Sequence, residues 1–123
     1  MSYCTEPLVL TFDMGTQSAR AMLVDSSGHI VHKSQLRYAE PYFSRHPGWA
    51  EQKADFYWES LCRVSKNLKQ KSEECWERIA AVTITCIRDS CLCVDKEGKP
   101  LNDVILWLDK REAELLPELG TAQ

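Results

Sequence analysis

Leu8-Val9-Leu10-Thr11-Phe12 is an almost unbroken apolar run, the pattern of a strand buried on both faces. It ends at Asp13-Met14-Gly15-Thr16-Gln17-Ser18, a cluster of turn-forming and hydroxyl residues. A second run, Ala21-Met22-Leu23-Val24, follows at once and stops at Asp25-Ser26-Ser27-Gly28, a hairpin turn in which Gly28 is free to take positive φ. His29 to Tyr38 alternates more loosely and predicts a third, more exposed strand. So short a gap leaves no room for a parallel crossover, so these three strands are expected to form an antiparallel meander.

Pro41 to Gly48 reads as a loop, with Pro47-Gly48 its strongest breaker. Asp55 is placed to cap a helix running to Lys71, whose apolar face is expected at Trp58, Leu61, Cys62, Ser65 and Leu68. Ile79 to Thr85 is a β-branched run reached through that helix and is expected to lie parallel to the first strand. Cys91 to Val94 and Val104 to Trp107 read as two further strands, and Asp109 as the cap of a last helix limited by Pro117. The predicted order is β-β-β-α-β-β-β-α, an α/β chain with an antiparallel start and a parallel continuation.

Composition narrows the class without naming it. The 123 residues suit one domain with a core, at 44% hydrophobic and 27% charged. A net charge of −3 argues against nucleic-acid binding through phosphate neutralisation. No apolar run approaches the about 18 residues of a membrane span, and the first residues lack the basic and apolar regions of a secretory leader. The cytoplasm is the expected compartment. Six cysteines (Cys4, Cys62, Cys75, Cys86, Cys91, Cys93) include no Cys-x-x-Cys spacing. They are expected to be reduced, buried, structural thiols, with Cys91 and Cys93 on one face of a strand. His29 and His32 are expected on opposite faces of the third strand, which leaves no metal shared between them. Trp49 and Glu51 are expected to pin the loop before the first helix, and Trp76 to be half-buried packing.

The informative chemistry lies between the first two strands, in Asp13-x-Gly15-Thr16-x-Ser18-x-Arg20. Gly15 allows a tight turn that brings N–H groups against an anion. Thr16, Gln17 and Ser18 add side-chain donors, and Arg20 a fixed positive charge. Asp13 is placed to hold a hydrated Mg²⁺ beside a bound phosphate. No Gly-Lys-[Ser/Thr] follows, so this is not a Walker loop. On spacing alone a phosphate site and a plain polar hairpin both stay open.

Five segments in order carry a resemblance. Phe12-Asp13-Met14-Gly15-Thr16-Gln17-Ser18-Ala19-Arg20-Ala21 resembles the opening of the FGGY carbohydrate kinases, the family of glycerol kinase, xylulokinase, ribulokinase and gluconate kinase. Pro47-Gly48-Trp49-Ala50-Glu51-Gln52 resembles that family's Pro-Gly-Trp-x-Glu segment. Ile84 to Asp89 resembles its strand-end Arg-Glu pair, with the shorter acid Asp89 here. Gly98-Lys99-Pro100-Leu101 and Ile105 to Arg111 resemble its Gly-x-Pro and Trp-x-Asp-x-Arg segments.

The resemblance implies an actin-like, ribonuclease-H-like mixed sheet. Residues 1–123 are then the N-terminal portion of an incomplete first lobe, with the rest of that lobe and the C-terminal lobe lying elsewhere. It implies ATP and Mg²⁺ as cofactors, a sugar or polyol as substrate, and no nucleic acid or membrane as partner. Homodimerisation of the full-length protein stays open. Gly15, Thr16, Gln17, Ser18 and Arg20 would bind the ATP phosphates, and Asp13 the metal. Arg88, Asp89, Trp107 and Asp109 would line the polyol site. The family's catalytic Asp is expected beyond these residues, so the chain alone is expected to be inactive.

Physical chemistry supports the second group. An Arg–Asp pair reads hydroxyls through charge-assisted bonds, and an indole packs on the C–H face of a polyol. Each residue also has a plainer reading: a surface ion pair, a core tryptophan, a helix cap. The pair leans to the functional reading, while Trp107 and Asp109 stand evenly between the two. Two other classes stay open, a non-catalytic phosphate-binding or interaction module and a ribonuclease-H-like nuclease using Asp13 and Asp89. If the lobe is incomplete, apolar faces are expected to be exposed, and the isolated chain to aggregate or melt without sharp cooperativity.

Overall fold

The computed structural model describes residues 6–114 and 116–119. They divide into two compact units, one over Met1–Ala39 and Tyr57–Ile87, the other over Glu40–Phe56 and Arg88–Gln123.

The first unit is built on a four-stranded sheet in the order β3-β2-β1-β5. Its strands are β1 (Leu8–Met14), β2 (Ser18–Val24), β3 (Ile30–Arg37) and β5 (Ile79–Thr85). β1 pairs antiparallel with β2, and β2 with β3, as the short connections require. β1 pairs parallel with β5, from Leu8 opposite Ile79 to Asp13 opposite Thr85. The connection between those two strands carries α1 (Ala54–Lys71) and the short α2 (Glu73–Trp76). The meander and the parallel strand therefore form as the apolar runs predict. The β2–β3 turn is also as expected: Asp25 Oδ1 accepts from the N–H groups of Ser27 and His29, and Gly28 takes φ 85°.

Burial along β1 alternates, with Leu8, Leu10, Phe12 and Met14 inside and the intervening residues half-buried. A strand buried on both faces was expected; here one face reaches the core. Ala19, Ala21 and Leu23 of β2 join that face with Val64, Leu68 and Cys75 from the helices. The buried positions of α1 are Ser60, Val64 and Leu68, with Tyr57 and Leu61 packed beside them. Trp58, expected inward, is exposed. Two overlapping stripes at helical spacing exist in this helix, and packing on the sheet selects the one centred on Val64. The helix begins at Ala54, so Asp55 lies in its first turn, where its charge complements the helix dipole without capping it.

β5 carries the apolar exposure that an incomplete lobe predicts. Val82 is 64% and Ile84 53% exposed. They stand two residues apart on one side of a strand at the sheet's edge.

The second unit contains β4 (Glu51–Gln52) paired antiparallel with β6 (Val104–Ile105). Sequence patterning missed β4, whose residues are polar. It expected a strand over Cys91 to Val94, where the structure has isolated bridges, Cys91 with Ile105 and Val94 with Pro100. Pro100 has no N–H, and the Cys93 N–H goes to the Asn102 side chain, so no ladder propagates. Cys91 and Cys93 are accordingly exposed; Cys86 is exposed and Cys62 half-buried as well, against the expectation of buried thiols, and Cys75 alone among the described cysteines is buried. Cys4 lies outside the described residues. The last helix is also divided, into a 3-10 turn over Arg111–Glu114 and α3 over Leu116–Leu119. Pro117 does not limit it but sits in the first turn of α3, where a missing N–H costs little.

Candidate functional site

β1 and β2 are joined by Gly15-Thr16-Gln17, a three-residue loop. Gly15 N–H donates to the Ser18 carbonyl at 3.0 Å, and Tyr38 N–H donates to the Gln17 carbonyl, also at 3.0 Å. Space rather than backbone conformation asks for glycine at position 15: its φ is not in the left-handed region, but a Cβ would stand 3.3 Å from the Ser18 carbonyl oxygen. That N–H closes the turn, the tight conformation for which the sequence offers Gly15.

Asp13 and Arg20 face each other across the β1–β2 ladder, and Arg20 Nη1 lies 2.6 Å from Asp13 Oδ2. Both side chains are about two-fifths exposed. A guanidinium has five N–H donors, so one ion pair leaves Arg20 able to meet an anion. The other Asp13 oxygen, Oδ1, meets the Thr85 hydroxyl at 3.5 Å. A carboxylate with one oxygen so lightly engaged suits Mg²⁺, which is commonly held through one or two carboxylates, with water and phosphate completing the shell. Thr16 is half-buried and Gln17 exposed at the loop tip. Ser18 is different: it is buried, and its hydroxyl accepts from Gln35 Nε2 at 3.2 Å, so it belongs to the sheet more than to the loop surface.

Tyr38 is a neighbour of this pair that the sequence did not single out. Half-burial pushes its phenol up to about 12, Asp13's charge adds to the rise, and a hydrogen bond with Ser60 and the charge of Arg20 oppose it. Nothing in the spacing of Tyr38 announces this proximity, because it arises from the β2–β3 pairing.

In the second unit the predicted residues take three different situations. Arg88 and Asp89 lie in a turn beyond the end of β5, with side chains 92% and 74% exposed and Nε to Oδ2 at 3.4 Å. Asp89 has φ 59°, a left-handed conformation that aspartate adopts more readily than most residues. Trp107, 58% exposed, follows the buried Leu106, whose N–H donates to the Ala50 carbonyl at 3.0 Å. Asp109 is 4% exposed, and its oxygens are occupied. Ala50 N–H donates to Oδ2 at 2.6 Å; Arg111 donates from its backbone N at 3.0 Å, Nε at 2.7 Å and Nη2 at 2.8 Å. Those bonds, led by the Arg111 side chain, hold the carboxyl well below the usual carboxylate range. The geometry gives Asp109 a capping role at the start of the 3-10 turn, with both carboxylate oxygens engaged within the protein.

Sequence reasoning missed the extent of this polar cluster. Arg111 also reaches Glu51 Oε1 at 3.1 Å and stacks over Trp49, its guanidinium carbon 3.8 Å from the ring centroid. Arg45 approaches Glu51 at 3.5 Å and pairs with Asp103, which Lys53 also meets at 2.8 Å. The Lys53 hydrogen bond leads in holding the Asp103 carboxyl below its ordinary value. Trp49 and Glu51 thus pin their loop as expected, by pairing with residues about sixty positions away.

A mixed sheet with an antiparallel hairpin leading into a parallel crossover is the architecture this chain shares with actin-like sugar kinases of known structure. The model of the FGGY family of carbohydrate kinases, N-terminal domain, matches residues 8–122, and the chain belongs to that family. It is 35% identical over 121 residues to a glycerol kinase of Trichodesmium erythraeum, covering 98% of this chain and 24% of that protein. A glycerol kinase of Trichormus variabilis is 36% identical over 119 residues, covering 94% and 23%. Among solved structures, xylulose kinase from Rhodospirillum rubrum superposes with a TM-score of 0.83 at 27% identity, over 94% of this chain and 23% of that one. Plasmodium falciparum glycerol kinase, crystallised with ADP, gives 0.77 at 26%, over 96% and 24%. The chain spans about a quarter of the length of these relatives. Among the described residues no helix is long and apolar enough to cross a membrane.

Proposed function

We propose that this chain supplies the first phosphate hairpin and part of the acceptor site of an ATP-dependent kinase that phosphorylates a hydroxyl of a sugar or polyol. The observation that carries this reading is the Asp13–Arg20 pair, set across the ladder beside a three-residue loop in a chain of this family. Arg20, Thr16 and Gln17 are the groups offered to the nucleotide's terminal phosphates. Asp13 is the residue that would hold Mg²⁺, which when bound neutralises charge on the transferring phosphoryl group. Arg20 and the loop hold the phosphates in place, the positioning on which phosphoryl transfer depends.

Arg88, Asp89 and the exposed ring of Trp107 form the acceptor side of the proposal. Asp109 contributes indirectly, by anchoring the turn that follows Trp107. The general base would come from family length outside these residues, so the 123-residue chain is expected to release no ADP above background in a coupled assay with a panel of sugars and polyols. Robust turnover by the chain alone refutes that division of labour. In a protein carrying the family's full length, Asp89→Asn is expected to raise the acceptor KM more than the ATP KM. The reverse pattern would mean that the two sides are wrongly assigned.

A further inference from the structure

We propose that His32, Glu74 and Cys75 form a binding site for a thiophilic divalent cation, zinc by preference, separate from the phosphate hairpin. One ligand atom from each, imidazole nitrogen, carboxylate oxygen and thiol sulfur, lies within 4.8 Å of the other two. The site joins the edge strand β3 to the short α2, both in the first unit.

The fold brings the three together for reasons unrelated to a metal. His32 is two residues before the buried Ser34 on β3 and so shares its side of the strand. At the end of α1, Ser72 turns the chain: its buried hydroxyl donates to the Leu68 carbonyl at 2.8 Å. The N–H of Cys75 then donates to the Ser72 carbonyl at 2.9 Å, and the N–H of Arg78 to the Cys75 carbonyl at 3.1 Å. That bonding fixes the backbone of α2 and places Cys75 in the core cluster, while Glu74 stays exposed and able to swing.

Sulfur and imidazole select zinc over magnesium, which takes oxygen ligands. Three protein ligands leave a fourth tetrahedral position for water. Arg78 faces the sulfur, with Nη1 at 3.8 Å from Sγ. Its Nε and Nη2 are held by the Glu6 carbonyl at 3.0 and 2.8 Å, so the guanidinium has an anchor independent of the sulfur. A thiolate and a carboxylate balance the two charges of zinc.

The test uses the 123-residue chain with exposed or undescribed thiols removed (Cys4→Ser, Cys86→Ser, Cys91→Ser, Cys93→Ser) and Co²⁺ or Zn²⁺ as probe. One equivalent of Co²⁺ is expected to bind with a thiolate-to-cobalt charge-transfer band and tetrahedral d–d absorption, displaced by Zn²⁺ and not by Mg²⁺. Adding Cys75→Ser is expected to abolish the band. His32→Gln and the surface change Glu74→Gln are each expected to weaken Zn²⁺ binding at least about tenfold. No cobalt–thiolate band in the four-serine chain, or unchanged Zn²⁺ affinity in Glu74→Gln and His32→Gln, overturns the proposal. Glu74 is exposed and the substitution keeps its volume, so loss of folding does not cloud its result. None of these outcomes depends on kinase activity.

Discussion

Replacing Asp109 by asparagine removes one charge and changes almost no volume, at a carboxylate that accepts four hydrogen bonds. The new amide oxygen can still accept from the Arg111 backbone and Nε. Its NH₂ group then faces two other donors, the Ala50 N–H and Arg111 Nη2, and both lose their partner. A hydrogen bond to a charged group contributes roughly 1.5–3 kcal/mol and a neutral one roughly 0.5–1.5 kcal/mol. Two bonds lost and two weakened would cost about 4 kcal/mol if the site were sealed. Arg111 is a quarter exposed and keeps Glu51, which lowers the expected cost to about 2–3 kcal/mol. Amide exchange at Ala50 reads this locally, and its protection is expected to fall roughly 30- to 150-fold. The acid side gives an independent check. Arg111 depresses the Asp109 carboxyl in the folded state, so its contribution is complete above the unfolded value of about 3.9 and fades as pH falls below it. The gap between wild type and Asp109→Asn is therefore expected to narrow progressively as pH falls below about 4. Ala50 protection unchanged within about threefold, or a gap that widens in acid, would refute the assignment of Asp109 as an occupied structural anchor.

Arg20→Ala is expected to change stability by less than about 1 kcal/mol in urea titrations, because its ion pair is well exposed, yet to lower Mg·ATP affinity measured calorimetrically in a protein of full family length. A large stability loss with nucleotide binding intact would reverse that assignment. Gly28→Ala is expected to cost about 1–2 kcal/mol, since φ 85° is left-handed although nothing stands within 4 Å of the new Cβ. Gly15→Ala is expected to stay within about 1 kcal/mol of wild type, as the conformational entropy alanine removes from the unfolded chain offsets the 3.3 Å contact; a loss at Gly15 as large as that at Gly28 would show that the Ser18 carbonyl cannot give way. Val82→Lys with Ile84→Lys is expected to suppress concentration-dependent light scattering of the isolated chain without lowering its stability, because both side chains are already exposed. Scattering that persists in that variant would place the sticky surface elsewhere.

Much of the first unit was legible in residue order. Apolar runs at Leu8, Ala21 and Ile79, the Asp25–Gly28 turn and the length of the intervening helix determine three strand identities, an antiparallel hairpin and a parallel return, since each depends on neighbours in sequence and on connection length. The turn between Asp13 and Arg20 was legible too, but that the two residues pair across the ladder follows from the register set by the three-residue loop. What residue order did not determine is which of two stripes on α1 turns inward; the sheet's shape decides that by burying Val64 and leaving Trp58 in solvent. Nor did it reveal β4, whose polar residues form a strand only because β6 supplies the opposite edge. The roles of Asp109, Glu51 and Arg111 belong to tertiary structure for the same reason. A lone acid in a sequence is a cap, a ligand or a surface charge. Here four donors, one from Ala50 and three from Arg111, make Asp109 an anchor, and the Ala50 donor is brought there by folding across fifty-nine positions.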